Sequence, residues 1–313
     1  MYDIGIDIGG TNIAAGLVDD RQHIAFRSSV RFPRGESAKT VADVIRAQAD
    51  ALIKSAGIGY GAIRSIGAAV PGQLDTGAGV VINAYNLGFS NTPLKRLLEE
   101  RFEGVPVYLA NDANAAALSE LYGGAFTGCK TAVLLTLGTG VGGGVILGGR
   151  MFNGGNNCGV ELGHMTLKLG GEPCTCNQRG CIETECSATA LIREGKRAAA
   201  AHPESALADA CELDAKRIID LARAGDAAAA GVFDRYVEAL ASALASIVDL
   251  LDPEVIALGG GVAGAGEFLL EPLRELVQEK CFFDKYLGRI EQAVMGNDAG
   301  VIGAAMLKRN FSE

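Results

Sequence analysis

The sequence contains no run of basic residues, and its formal net charge is −9. That balance excludes a general affinity for nucleic acid or for an anionic membrane surface, both of which need clustered positive charge. An anionic substrate would need a local site. The first residues carry no charged leader, apolar stretch or small-residue cleavage site, so a cytoplasmic protein is expected. The apolar run at residues 132–147 is too short to span a membrane and is punctuated by five glycines. It reads as two strands around a turn.

Glycine is abundant, at 43 of 313 residues, often in clusters. Clustered glycines mark places where the chain turns sharply or where backbone approaches a ligand closely. Apolar residues at 49% and charged residues at 21% fit an ordinary globular chain, long enough for two domains. Of the eight cysteines, Cys129, Cys158, Cys186, Cys211 and Cys281 are scattered and are expected to be buried small hydrophobes. The other three form the pattern Cys174-x-Cys176-x4-Cys181, with His164 ten residues upstream. Three thiolates and an imidazole make a closed tetrahedral set for a structural zinc, since no coordination position stays open. Ordinary reduced cysteines and a core histidine are the alternative. Glu161 and Glu183 bracket the cluster, where a stiffened frame would hold two carboxylates around a polyhydroxylated ligand.

Periodicity places strands at residues 2–8 and 13–18, joined by Gly9-Gly10-Thr11-Asn12, then a strand at 24–31 and a helix at 38–56. A buried strand is expected at 66–70, a helix at 92–101, a strand at 105–110 and a helix at 112–121. From Thr131 the pattern repeats, as a strand to Leu137, a glycine-rich turn at 138–144 and a strand at 145–147. Residues 188–251 are helical in period, with breaks at His202-Pro203 and Gly225-Asp226. A strand at 255–258 enters Gly259-Gly260-Gly261, and helices follow from about Glu267 and Gly300. Duplicated β units followed by helices suggest two similar α/β domains facing each other across a cleft.

The turn at Gly9, Gly10 and Thr11 can offer backbone N–H groups to phosphate oxygens, with Asp7 available for a magnesium shell; a plain hairpin turn is the competing reading. A second such turn, containing Gly138, Thr139, Gly140 and Gly142, strengthens the phosphate reading. A third patch, Gly259, Gly260 and Gly261, can let an adenine lie against backbone. Together the three favour a nucleotide. Asn111-Asp112 stands where a strand ends and a helix begins, a common address for reacting groups, although Asp is also a favoured N-cap. Transfer of a γ-phosphoryl group to a hydroxyl needs positioning, magnesium and a carboxylate that accepts the proton.

The segments DIGGTN at 7–12, ND at 111–112, LGTGVGGG at 137–144, ELGH at 161–164, CTCNQRGCIE at 174–183 and LGGGV at 258–262 together resemble the ROK family of sugar kinases and repressors. The match runs nearly end to end with motif order preserved. NLGF at 86–89, ETECSATAL at 183–191 and GNDAGVIGAA at 296–305 look most like its bacterial ATP-dependent glucokinases. The resemblance implies an actin-like ATPase, ribonuclease H-like, two-domain fold with ATP and sugar in the interdomain cleft. A smaller domain would comprise residues 1–115 and 298–313, and a larger one residues 116–297. Asp112 would be the catalytic base, with Asn111, Glu161, His164 and Glu183 on sugar hydroxyls. His164 would also ligate zinc with Cys174, Cys176 and Cys181. Residues 5–12 and 138–145 would hold the phosphates of ATP. Asn177 replaces a usual Gly but tolerates the left-handed conformation. Asn12 replaces a common Lys, and Phe89 a frequent Trp near the sugar.

A glucokinase using MgATP is therefore expected, with N-acetylmannosamine, N-acetylglucosamine, fructose or allose as alternative substrates. A sugar-responsive regulator of the same family would carry a helix-turn-helix domain ahead of the first hairpin, for which this chain leaves no room. A zinc-ribbon interaction module leaves the glycine loops unexplained. No nucleic-acid or membrane partner is expected, and the resemblance implies a homo-oligomer, dimeric or tetrameric.

Overall fold

The structure is a computed structural model that describes residues 1–209 and 212–311, so Cys211 lies outside the described residues. In chain order the elements are β1 (Tyr2–Ile8), β2 (Asn12–Val18), β3 (Ile24–Arg31), α1 (Ala38–Ser55), β4 (Ile63–Val70), β5 (Gln73–Asp75), β6 (Val80–Ala84), β7 (Phe89–Thr92), α2 (Leu94–Glu99), β8 (Val107–Asn111) and α3 (Asp112–Gly123). Then follow β9 (Ala132–Leu137), β10 (Val141–Leu147), β11 (Arg150–Met151), α4 (Ile182–Cys186), α5 (Ala188–Ala201), α6 (Ala215–Arg223), α7 (Ala227–Leu251), β12 (Val255–Gly259), α8 (Glu267–Lys280), β13 (Arg289–Gln292) and α9 (Ala299–Phe311).

The expected repeat is present as topology. One five-stranded sheet has the order β3-β2-β1-β4-β8 and another β11-β10-β9-β12-β13, so each begins with a hairpin whose first strand continues into parallel neighbours. A small sheet, β5-β6-β7, is added after β4. The chain divides into two compact units: Met1–Lys130 with Gly144–Val160 and Val294–Glu313, and Thr131–Gly143 with Glu161–Ala293. The division falls within β10. Among the described residues no helix is long and apolar enough to cross a membrane.

Two expected elements differ in extent. The helix expected at 92–101 is shortened to α2, because residues 89–92 pair with β6 as a strand and Pro93 then breaks the ladder. The expected turn at 138–144 closes much sooner, with β10 already under way at Val141. Its glycines at 143 and 144 are packing positions: a methyl on Gly143 would lie 2.8 Å from the Leu162 side chain, and one on Gly144 2.6 Å from Ala117 Cβ. The scattered cysteines follow expectation at 129, 186 and 281, which are buried, while Cys158 is only half-buried in the loop after β11.

In the first unit, α1 begins at Ser37, whose hydroxyl accepts from Thr40 N at 3.2 Å, and buries Val41, Ile45, Ala49 and Leu52 along one face. The other face of the sheet takes α9, and here the contact is made by backbone. A methyl on Gly5 of β1 would overlap the carbonyl of Val301, one on Gly67 of β4 the carbonyl of Ala304, and one on Gly303 the carbonyl of Ala115 in α3. Three glycines thus let α9 lie directly on β1, β4 and α3.

Replacing Gly303 by Ala gains about 1 kcal/mol of helix propensity but forces a methyl into a carbonyl that cannot rotate away. Overpacking costs roughly 1–3 kcal/mol and sometimes more, so Gly303→Ala should lose roughly 2 kcal/mol in urea unfolding. Gly231→Ala in α7, where the added methyl meets only the Arg235 guanidinium at 3.6 Å, should instead be neutral or stabilising.

Candidate active site

Strands β1, β4 and β8 run parallel, with Asp7 opposite Ala69 and Ala69 opposite Ala110. Asp7 and Asn111 therefore sit at the same, carboxyl-terminal edge of the sheet, two strands apart, where α/β proteins present reacting groups. Asn111 caps α3: its Oδ1 accepts from Ala113 N at 2.9 Å and Asn114 N at 3.3 Å, while its Nδ2 donates to Gly72 O at 3.1 Å. The capping role thus falls to Asn111. Asp112 is the first residue of the helix, half-buried, its Oδ1 accepting from Ala113 N at 2.9 Å.

Burial raises the carboxyl of Asp112 above its ordinary range. Asp7 is raised to about 6, first by burial and then by the charge of Asp112. Its carboxylate lies against Gly300 at the start of α9, where a methyl would overlap Oδ2. Gly9 N donates to Asn12 O at 2.9 Å, closing the first hairpin turn, and Thr11 and Asn12 are exposed.

In the second unit the turn between β9 and β10 is short: Gly138 N donates to Gly140 O at 3.0 Å. It is tied to α5 by Ala188 N donating to Gly138 O at 2.8 Å and Thr189 Oγ1 to Thr139 O at 2.7 Å. Glu183 Oε2 accepts from Val141 N at 3.2 Å and occupies the space a side chain at position 140 would need. Its Oε1 accepts from Thr175 Oγ1 at 3.1 Å. Expected on sugar hydroxyls, Glu183 here connects the glycine turn to the cysteine loop. At the end of β12, Gly260 has φ 83 and a methyl there would crowd Leu137 O at 2.5 Å; Gly259 is half-buried and Gly261 exposed.

His164, Cys174, Cys176 and Cys181 come together, with one ligand atom from each lying within 4.8 Å of the others. Cys174 Sγ is 3.6 Å from His164 Nδ1, and Cys176 Sγ is 3.6 Å from Cys181 Sγ. Tetrahedral zinc with bonds near 2.3 Å to sulfur and 2.0 Å to nitrogen puts its ligand atoms about 3.5–3.8 Å apart. The donor set fits that ion. Asn177 turns the loop at φ 67, as expected of an Asn in place of Gly. Glu161 is exposed and precedes a single helical turn, Leu162–His164, that carries His164 into the cluster. Phe89 is buried, its ring edge-on to Phe32 at 6.4 Å.

Sequence reasoning passed over Glu120. This buried acid accepts from Val294 N and Met295 N, each at 2.8 Å, and from Ala125 N at 2.8 Å, fastening the entry to α9 to the end of α3. An acid inside a helix otherwise rich in alanine was the available signal.

A repeated β-hairpin sheet with glycine turns at its first hairpins and an Asn-Asp pair at a strand-to-helix junction is the actin-like ATPase two-domain fold. The ROK family profile matches residues 3–310, and the chain belongs to that family. It is 38% identical to a glucokinase of Thermotoga maritima over 97% of this chain and 96% of that one. It is 31% identical to an N-acetylmannosamine kinase of Citrobacter koseri over 98% of each. Among solved structures it resembles a ROK family glucokinase from Streptomyces griseus in complex with glucose and AMPPNP, at 34% identity, TM-score 0.82 and 99% coverage of both chains.

Two outcomes are expected. Purified protein should contain about one zinc per chain by elemental analysis, and Cys176→Ser should lose it; active wild-type protein free of zinc would remove the site. An acid raised from 3.8 to about 6 on folding binds its proton more readily folded than unfolded, so its contribution to stability falls as pH rises through that window. Asp7→Asn should therefore raise the melting temperature of the nucleotide-free protein at pH 7.5 by a few degrees (roughly 2–4 °C), and the gain should disappear below about pH 4.

Proposed function

We propose that this chain is an ATP-dependent glucokinase that transfers the γ-phosphoryl group of MgATP to the 6-hydroxyl of glucose. The observation that carries the reading is the division of labour at the start of α3. Because Asn111 caps the helix, the Asp112 carboxyl accepts only from backbone N–H groups at the helix start, those of Ala113 and of Asp112 itself, and its raised carboxyl range suits a proton acceptor. Membership of a family whose relatives include glucokinases supports the substrate class.

In this reading Asp112 takes the proton of the 6-hydroxyl as that oxygen bonds to the γ-phosphorus. The bond from the γ-phosphorus to the bridging oxygen breaks, and ADP leaves with the electron pair. Magnesium, when bound, neutralises charge on the phosphates. Asp7 is the residue assigned to its shell, where a cation offsets the cost of ionising a carboxylate held at about 6. The turn residues Gly9, Gly10, Thr11 and Asn12, and Gly138, Thr139, Gly140 and Gly142, are assigned to the phosphates, and Gly259, Gly260 and Gly261 to the adenine. Asn111, Glu161, His164 and Glu183 are assigned to the sugar hydroxyls, and the zinc-ligated loop braces the last two. Glu183 accepts from Val141 N through one oxygen and from Thr175 through the other, and the remaining lone pairs of these oxygens are the ones assigned to a sugar hydroxyl.

Glucose is preferred to N-acetylated hexosamines because a carboxylate placed for a hydroxyl is left unpaired by an analogue lacking it. Asp112→Asn should lower kcat by about 10²- to 10⁴-fold while ATP and sugar still bind in calorimetry; activity within a few-fold of wild type would overturn the assignment. In a coupled ADP-release assay across hexoses, glucose should show the highest kcat/KM. A higher value for N-acetylmannosamine would overturn glucose and leave the sugar kinase standing. No ADP release with any hexose would overturn both.

A further inference from the structure

We propose that Arg34 is a phosphate-contacting residue, the cation that the first glycine turn supplies to the transferred phosphoryl group. The inference rests on the kinase reading above. Beyond β3 the chain folds back against the turn: Phe32 N donates to Thr11 O at 2.7 Å, Arg34 N to Phe32 O at 2.9 Å, and Arg34 Nε to Gly10 O at 3.1 Å. The guanidinium is thus seated on the backbone of Gly10, the middle of the turn. It is exposed, and its two terminal nitrogens have no partner among the described residues. Of the other arginines of the same unit, Arg46 is occupied by Asp50, Arg64 by Asp3 and Arg101 by Asp43, while Arg31, opposite Asn12, makes no ion pair among the described residues and is not seated on the turn backbone as Arg34 is.

Charge gives the reason such a group is needed. The turn ends in the neutral Asn12, which lies opposite Arg31 in the β2–β3 pairing, and the carboxylates of Asp7 and Asp112 stand near each other at the sheet edge. A polyphosphate approaching this edge meets like charge, and backbone N–H groups alone carry only partial positive charge. A guanidinium held by one nitrogen keeps its other two free for phosphate oxygens, which its planar fork matches in pairs. Binding through Nε to Gly10 O also fixes the side chain, so less rotamer freedom is lost when phosphate arrives. Arg34 would therefore serve the β- and γ-phosphates and leave the nucleoside and the sugar untouched.

The test uses the full chain with Arg34→Gln and Arg34→Lys, after hexose-dependent ADP release by the wild type has been measured. Hydrogen bonds to charged groups correspond to losses of roughly 10- to 100-fold, so Arg34→Gln should lower kcat/KM for ATP by about that factor. The KM for glucose should stay within two-fold and the melting temperature should not move, with Arg34→Lys restoring part of the loss. In equilibrium binding, Arg34→Gln should weaken ATP and leave AMP unchanged. Equal weakening of ATP and AMP, or a fallen melting temperature accounting for the loss, would assign Arg34 to holding the loop and overturn the proposal. So would unchanged kinetics. A wild type inactive on every hexose fails the kinase reading instead, and the ATP-against-AMP comparison still decides whether Arg34 binds phosphate.

Discussion

The first unit depends on a helix laid on a sheet with backbone against backbone at Gly5 and Gly67. Gly5, Gly67 and Gly303 bring the backbone of α9 onto β1, β4 and α3 at distances that any methyl would violate. Close packing of this kind has no slack, because the opposing atoms are carbonyls fixed by their own hydrogen-bonded ladders. The same docking determines where the polar groups stand. Gly300 at the head of α9 leaves room for the Asp7 carboxylate, and the contact with α3 fixes the helix that Asn111 caps and Asp112 begins. Glu120 fastens the other end of α3 to the bend that enters α9 through the N–H groups of Val294 and Met295, and also accepts from Ala125 N just beyond α3. Burying a carboxylate is costly unless its oxygens are bonded, and here both of them are.

The second unit is organised around a different constraint, the crowding of three sulfurs and an imidazole into a space the size of one metal coordination sphere. The loop that carries the sulfurs also carries Glu183, placed by the short helix α4 directly after Cys181. One oxygen of Glu183 holds the N–H of Val141 and the other receives the Thr175 hydroxyl. A carboxylate bonded at both ends joins the glycine turn to the cysteine loop. That coupling requires position 140 to be glycine, for reasons separate from any phosphate contact.

Much of the site was legible in residue type and spacing. The pattern of Cys174, Cys176 and Cys181 with His164 names its chemistry, since few other arrangements need three thiols on so short a loop. The hairpins β1–β2 and β9–β10 were legible because apolar strands interrupted by glycine have few other readings. The glycines at 143 and 144 misled: in sequence they extend a turn, whereas in the structure they lie in β10 and make room for Leu162 and Ala117. A glycine that serves a turn and one that serves close packing carry the same letter. The helix expected at 92–101 is present as Leu94–Glu99, and its start was misplaced for a related reason, as the pairing of Thr92 with β6 is a non-local event that local helical period does not register.

The sequence by itself determined the family, the doubled β-hairpin plan, the four zinc-type ligands and the acid at the β8–α3 junction, because each is written in local pattern or in motif order. Tertiary structure alone decided that Asn111 rather than Asp112 caps α3, that Glu183 bonds the glycine turn, that Glu120 ties α3 to the entry of α9, and that Arg34 rests on Gly10. These are contacts between residues tens to hundreds of positions apart, or choices between adjacent polar groups of equal local aptitude. Their outcome depends on which backbone N–H or carbonyl arrives within hydrogen-bond reach, a matter settled only when the strands have paired and the helices have docked.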